Sequence, residues 1–120
     1  MEFATGKIMW SKQLTEADVY SGACPTCGPD FDFGSSPILT KSAEGREMIL
    51  AGQKSGIVWA LDPAKKGEIL WQTRVGVGGT NGGVQWGMAS DGQKVYAATA
   101  DWMKTGGAAA GLANLIGNAS

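Results

Sequence analysis

Asp30 and Asp32 stand two residues apart in the loop sequence Gly28-Pro29-Asp30-Phe31-Asp32-Phe33-Gly34. Two carboxylates this close can hold different protonation states when their surroundings differ, which suits one of them to proton abstraction. The ordinary use of such residues is plainer: loop carboxylates bond nearby backbone amides. Lys54, in the turn Gln53-Lys54-Ser55-Gly56, could stabilise negative charge that develops in a reaction. A lysine in a polar turn is otherwise a solvated charge. The chain has no His, so the commonest metal ligand and the commonest general base are missing. Any chemistry must rest on carboxylates, lysines or the two cysteines.

Those cysteines form the series Cys24-Pro25-Thr26-Cys27, and three uses compete. A zinc site normally needs four ligands, and no second pair or His is present. A thioredoxin-like site needs a βαβ context and a helix N-terminus, whereas this pair lies in a Gly/Pro-rich loop of a β pattern. A local disulfide stapling the loop follows if the protein is exported. It would close a very short ring and so stiffen the loop more than the fold.

The elements that must carry these residues read as β. Nineteen Gly and five Trp in 120 residues mean frequent tight turns and repeated packing units, which favour all-β structure over a helical bundle. Ala4-Thr5-Gly6-Lys7-Ile8-Met9-Trp10 matches Lys65-Lys66-Gly67-Glu68-Ile69-Leu70-Trp71. The spacing between the copies exceeds the roughly 40–50 residues of a propeller repeat. An inserted loop over residues 17–34 accounts for the surplus. Strands are expected near residues 7–12, 37–41, 47–52, 56–61, 68–74, 84–89 and 94–99, separated by Gly-, Pro- and Asp-rich turns. Four consecutive strands in an antiparallel meander make a propeller blade. The expected organisation is a partial propeller over residues 1–101, one whole blade with parts of two neighbours. A Gly/Ala-rich flexible tail over 102–120 follows. A complete propeller needs roughly 4–8 blades, more than this length holds.

Net charge is −1 with the signs interspersed, so no basic stripe marks a nucleic-acid partner. No run of about 20 apolar residues predicts a membrane-spanning helix. The N-terminal residues lack the pattern of a signal peptide, so location is not written in this chain.

The unit Ala60-Leu61-Asp62 followed by Gly67-Glu68-Ile69-Leu70-Trp71 resembles the PQQ-type propeller repeat, and Ala4-Thr5-Gly6-Lys7 with Trp10 is a closer copy of its second half. That repeat also occurs in scaffold propellers. A more specific likeness runs from Asp30-Phe31-Asp32 through Ser36-Pro37-Ile38-Leu39, Gln53-Lys54-Ser55-Gly56 and Val58-Trp59-Ala60-Leu61-Asp62 to Gly82-Gly83-Val84-Gln85-Trp86. This series resembles the PQQ-dependent alcohol dehydrogenases, most of all their polyvinyl alcohol dehydrogenase branch.

The resemblance implies roles. Asp30 stands where the family keeps its catalytic base, with Asp32 beside it. Lys54 stands where a Lys or Arg contacts the quinone oxygens. Gln85 and Trp86 stand where the family lines the cofactor pocket, Gln85 replacing the usual Asn. The cofactor implied is PQQ, accompanied in the complete protein by calcium, whose ligands lie in blades outside this chain. An alcohol substrate, a cytochrome c as electron acceptor and a periplasmic location follow from the same likeness. The carboxylates, Lys54 and Trp86 are expected to face one side of a sheet end. The rival reading is a non-catalytic blade serving as scaffold or interaction module, associating through open edges or with missing blades. Such a blade has no need of the Asp30, Lys54, Gln85 and Trp86 set.

Overall fold

The computed structural model describes residues 1–101 and the pair Gly117–Asn118. Four strands form one antiparallel sheet in sequence order: β1 (Ile38–Lys41), β2 (Glu47–Gly52), β3 (Ile57–Asp62) and β4 (Glu68–Arg74). This is the meander of a propeller blade. Its register pairs Ile38 with Leu50, Leu50 with Ala60, and Ala60 with Trp71. Strand β2 alternates as the pleat requires, with Met48, Leu50 and Gly52 buried. The central strand β3 is buried on both faces from Val58 to Asp62, as its near-continuous apolar run demands.

Asp62 closes β3. Its side chain accepts hydrogen bonds from the Ala64 and Lys65 amides, at 2.8 and 3.3 Å, and so caps the 3-10 turn Pro63–Lys65. Arg46, just before β2, donates to the same carboxylate at 2.5 Å. That bond, helped by the backbone amides, holds the Asp62 carboxyl below its ordinary value against the opposing effect of burial. One residue thus fixes the β3–β4 turn and ties it to the β1–β2 end of the sheet.

A second sheet begins with β5 (Met88–Ser90) and β6 (Lys94–Ala97), and β7 (Gly117–Asn118) pairs with β6. The core lies between the two sheets. Leu50, Val58 and Ala60 of the blade meet Val75, Val84, Val95 and Ala97, with Ile38, Leu70, Trp71 and Met88 around them.

Three sequence expectations are corrected. Residues 7–12 form no strand and pair with no described strand. Only the Trp10 ring docks, against Gly67: a Cβ there would lie 2.7 Å from the indole, so the turn accepts the ring because it has no side chain. The strand expected over 84–89 shrinks to Met88–Ser90, and that over 94–99 ends at Ala97. Gly83 and Gly87 take positive φ, and the Val84 amide donates to the Gln53 carbonyl at 3.1 Å. The segment is spent on joining the blade instead of extending a strand. Residues 18–34 carry no regular element beyond the Ser21–Cys24 bridge. The flexible-tail reading falls mostly on residues 102–116, outside the described residues. No described helix is long and apolar enough to cross a membrane.

Candidate functional site

The β2–β3 turn and the long loop before β1 meet at one end of the blade. Gln53, 2% exposed, makes the junction. Its Oε1 accepts from the Ser55 hydroxyl at 2.7 Å, the Thr15 hydroxyl at 3.1 Å and the Trp59 indole N–H at 3.3 Å. Its Nε2 donates to the Phe31 carbonyl at 2.9 Å. The Lys54 amide donates to the Asp32 carbonyl at 2.9 Å. Backbone and side chain together therefore pin residues 31–32 against the turn that carries Lys54.

The result is a charged set. Lys54 Nζ stands 2.6 Å from Asp32 Oδ2 and 3.7 Å from Asp30 Oδ2. The Lys54 and Asp30 side chains are 18% and 20% exposed, whereas that of Asp32 is 65% exposed. The hydrogen bond that Lys54 donates to Asp32 raises the Lys54 ammonium above its ordinary value, with partial burial opposing it and Asp30 adding to the effect. The two carboxylates thus have different surroundings, one sheltered and one wet, and share one cation.

Beside them lies a groove of about 280 Å³. Asp30 and Asp32 line it together with Lys12, Thr15, Tyr20 and Phe33. Its walls mix hydrogen-bonding groups with aromatic faces, which suits a small hydroxyl-bearing ligand.

The structure brings Asp30, Asp32 and Lys54 together, but only the two carboxylates line the groove; Lys54, Gln85 and Trp86 lie outside its lining. The Gln85 amide donates to the Gly82 carbonyl at 3.0 Å, and Trp86 is 72% exposed. Gln85 sits next to the loop, since Gly34 packs on its backbone. Cys24 and Cys27 are disulfide-bonded with 5.4 Å between their Cα atoms, in the loop that leads to Asp30. Sequence reasoning gave no role to Gln53 or to Asp18, whose carboxylate bonds the Asp30 and Phe31 amides. The sequence shows Gln53 beside Lys54 in a polar turn, which gives no reason to single out its amide. No spacing marks Asp18, because its partners lie 12 and 13 residues away. Among the described residues no group of three or more His, Cys, Asp or Glu could hold a metal ion.

No protein-family model matches the chain, and no solved structure matches it. Two curated proteins do. A polyvinylalcohol dehydrogenase of Pseudomonas sp is 45% identical over 108 residues, covering 84% of this chain and 17% of the relative. A polyvinylalcohol dehydrogenase of Sphingopyxis sp. (strain 113P3) is 42% identical over 108 residues, covering 81% of this chain and 16% of the relative. The chain spans about a sixth of the length of these relatives. Over most of its own length it is similar to one segment of proteins named polyvinylalcohol dehydrogenase.

Proposed function

We propose that the chain is a piece of the β-propeller of a PQQ-dependent dehydrogenase that oxidises an alcohol, polyvinyl alcohol dehydrogenase-like in its substrate. The observation that carries this reading is the pairing of Lys54, itself outside the groove lining, with Asp30 and Asp32, two carboxylates that line a hydroxyl-compatible groove. Asp30, the more sheltered carboxylate, takes the proton of the alcohol hydroxyl. Asp32 holds the Lys54 ammonium in place, and Lys54 offers a fixed positive charge where negative charge develops.

The residues fit an anionic quinone in part. Lys54 supplies a cation, and the exposed Trp86 ring supplies an aromatic face, while the Gln85 amide is already engaged by Gly82. When bound, PQQ supplies the hydride-accepting chemistry, which belongs to the cofactor. Calcium ligands and the remaining walls would come from other blades, docked on the open faces of this one. The Cys24–Cys27 bridge supports an oxidising, periplasmic location, where a cytochrome c would serve as electron acceptor.

The test replaces the matching segment of the Pseudomonas relative with this chain and follows alcohol-dependent dye reduction with PQQ and calcium. Turnover is expected, and Asp30→Asn in the chimera should lower kcat by roughly 10²–10⁴-fold. A folded chimera without turnover, or one indifferent to Asp30→Asn, would sink the reading.

A further inference from the structure

Asp30 has a backbone φ of +60°, a left-handed conformation uncommon outside glycine but more open to Asp and Asn than to other residues. Asp18 holds the backbone in that conformation from outside. Its Oδ1 accepts from the Asp30 amide at 3.0 Å and its Oδ2 from the Phe31 amide at 2.7 Å. Both oxygens of one carboxylate are thus spent on two successive N–H groups. The opposite edge of the same stretch is held by Gln53, whose Nε2 donates to the Phe31 carbonyl.

The loop between Asp18 and Asp30 is shaped for this approach. Gly28 has φ +108°, and a Cβ on it would fall 2.6 Å from Asp18 Cα and 2.8 Å from Asp18 Oδ1. Only glycine lets the returning chain come this close. The Val19 amide donates to the Cys27 carbonyl at 2.9 Å, so the disulfide-bridged turn lies across the neck of the loop.

We infer that Asp18 is a positioning residue: it clamps the Asp30–Phe31 backbone and thereby sets the Asp30 carboxylate 3.7 Å from the Lys54 ammonium. That this positioning serves proton abstraction rests on the proposed function, but the positioning itself can be read without turnover. Bonds from amides to a charged acceptor are the strong kind, and two of them orient the peptide more narrowly than one.

The test is NMR on the purified chain, comparing wild type, Asp18→Ala, Asp18→Asn and the control Ser21→Ala, a change in the same loop that removes only a local bond to Cys24. In Asp18→Ala the Asp30 and Phe31 amides should exchange with solvent about tenfold faster or more. The Lys54 ammonium should titrate at lower pH than in wild type as Asp30 leaves it. Asp18→Asn, which keeps one acceptor oxygen, should protect one of the two amides and not the other. Wild-type protection in Asp18→Ala would overturn the inference. So would an equal loss of protection through β2 and β3, or a Lys54 shift of the same size in Ser21→Ala. Because no arm depends on activity, an inactive chimera with intact Asp18 effects would discard the dehydrogenase reading and leave the clamp standing.

Discussion

Gln53 shows how much of the site hangs on one uncharged side chain. Its oxygen serves three donors and its amide nitrogen serves the Phe31 carbonyl, with Gln53 itself 2% exposed. Replacing it with Ala leaves the Ser55 hydroxyl and the Trp59 indole without their shared acceptor, and an unsatisfied buried polar group costs about 1–3 kcal/mol. Denaturant unfolding of Gln53→Ala should therefore show a loss of at least that order. The Lys54 titration should fall as residues 31–32 loosen. A variant as stable as wild type would show that Thr15, Ser55 and Trp59 find other partners. The sequence displayed Gln53 beside Lys54 but gave no reason to choose it, since an amide in a turn usually faces solvent. Its side-chain partners Thr15 and Phe31 and the Val84 amide on its carbonyl are remote in sequence.

At the scale of elements, the blade's register is secured at one corner by Arg46 and Asp62. The Asp62 carboxyl is held below its ordinary value of 3.8, first by the Arg46 bond. A carboxylate depressed in the folded state contributes stability that is present above its unfolded pKa and is lost as pH falls through the folded value. Wild type should therefore lose stability on acidification below about pH 4, and Asp62→Asn should lose less over the same range while being weaker at neutral pH. Thermal melts from pH 7 down to pH 2 measure both. Parallel curves for the two proteins would contradict the linkage. The four-strand meander was legible from the alternation of apolar runs and turn residues, because both the pleat and the tight turn are local. The segment over 84–89 was not. Its apolar residues suit a strand, yet its glycines and its bond to Gln53 give it a joining role decided by tertiary contact.

For the whole molecule, the open surfaces matter more than the core. Strand β1 is an edge of the four-stranded sheet, and Leu39 on it is 69% exposed. Ile69 on β4, the other edge strand, is 40% exposed, and Phe3, Ile8 and Met9 lie bare near the N-terminus. Unpaired edges with apolar side chains invite association. In a propeller the next blade would cover the faces. We expect the isolated chain to self-associate as concentration rises, measured by sedimentation velocity, and to show no dye reduction with PQQ, calcium and primary or secondary alcohols. One blade supplies only one wall of an axial site. Turnover by the monomeric chain, abolished by Asp30→Asn, would overturn that expectation.

The sequence by itself determined the all-β class, the blade strands from Ile38 to Arg74 and the loop before them, since period-2 apolar patterning and turn chemistry act between near neighbours. It also marked Asp30, Asp32 and Lys54 as residues to watch, through a likeness to a known family. Only the tertiary structure decided that these three meet, that Trp10 docks on Gly67 without a strand, and that Gln85 turns to Gly82 instead of the groove. It alone revealed Asp18 and Gln53 as the groups holding the loop. The physical reason is range: a strand is specified by side-chain alternation along a few residues, whereas a clamp is specified by where two distant stretches of backbone are brought together, and no local pattern encodes that distance.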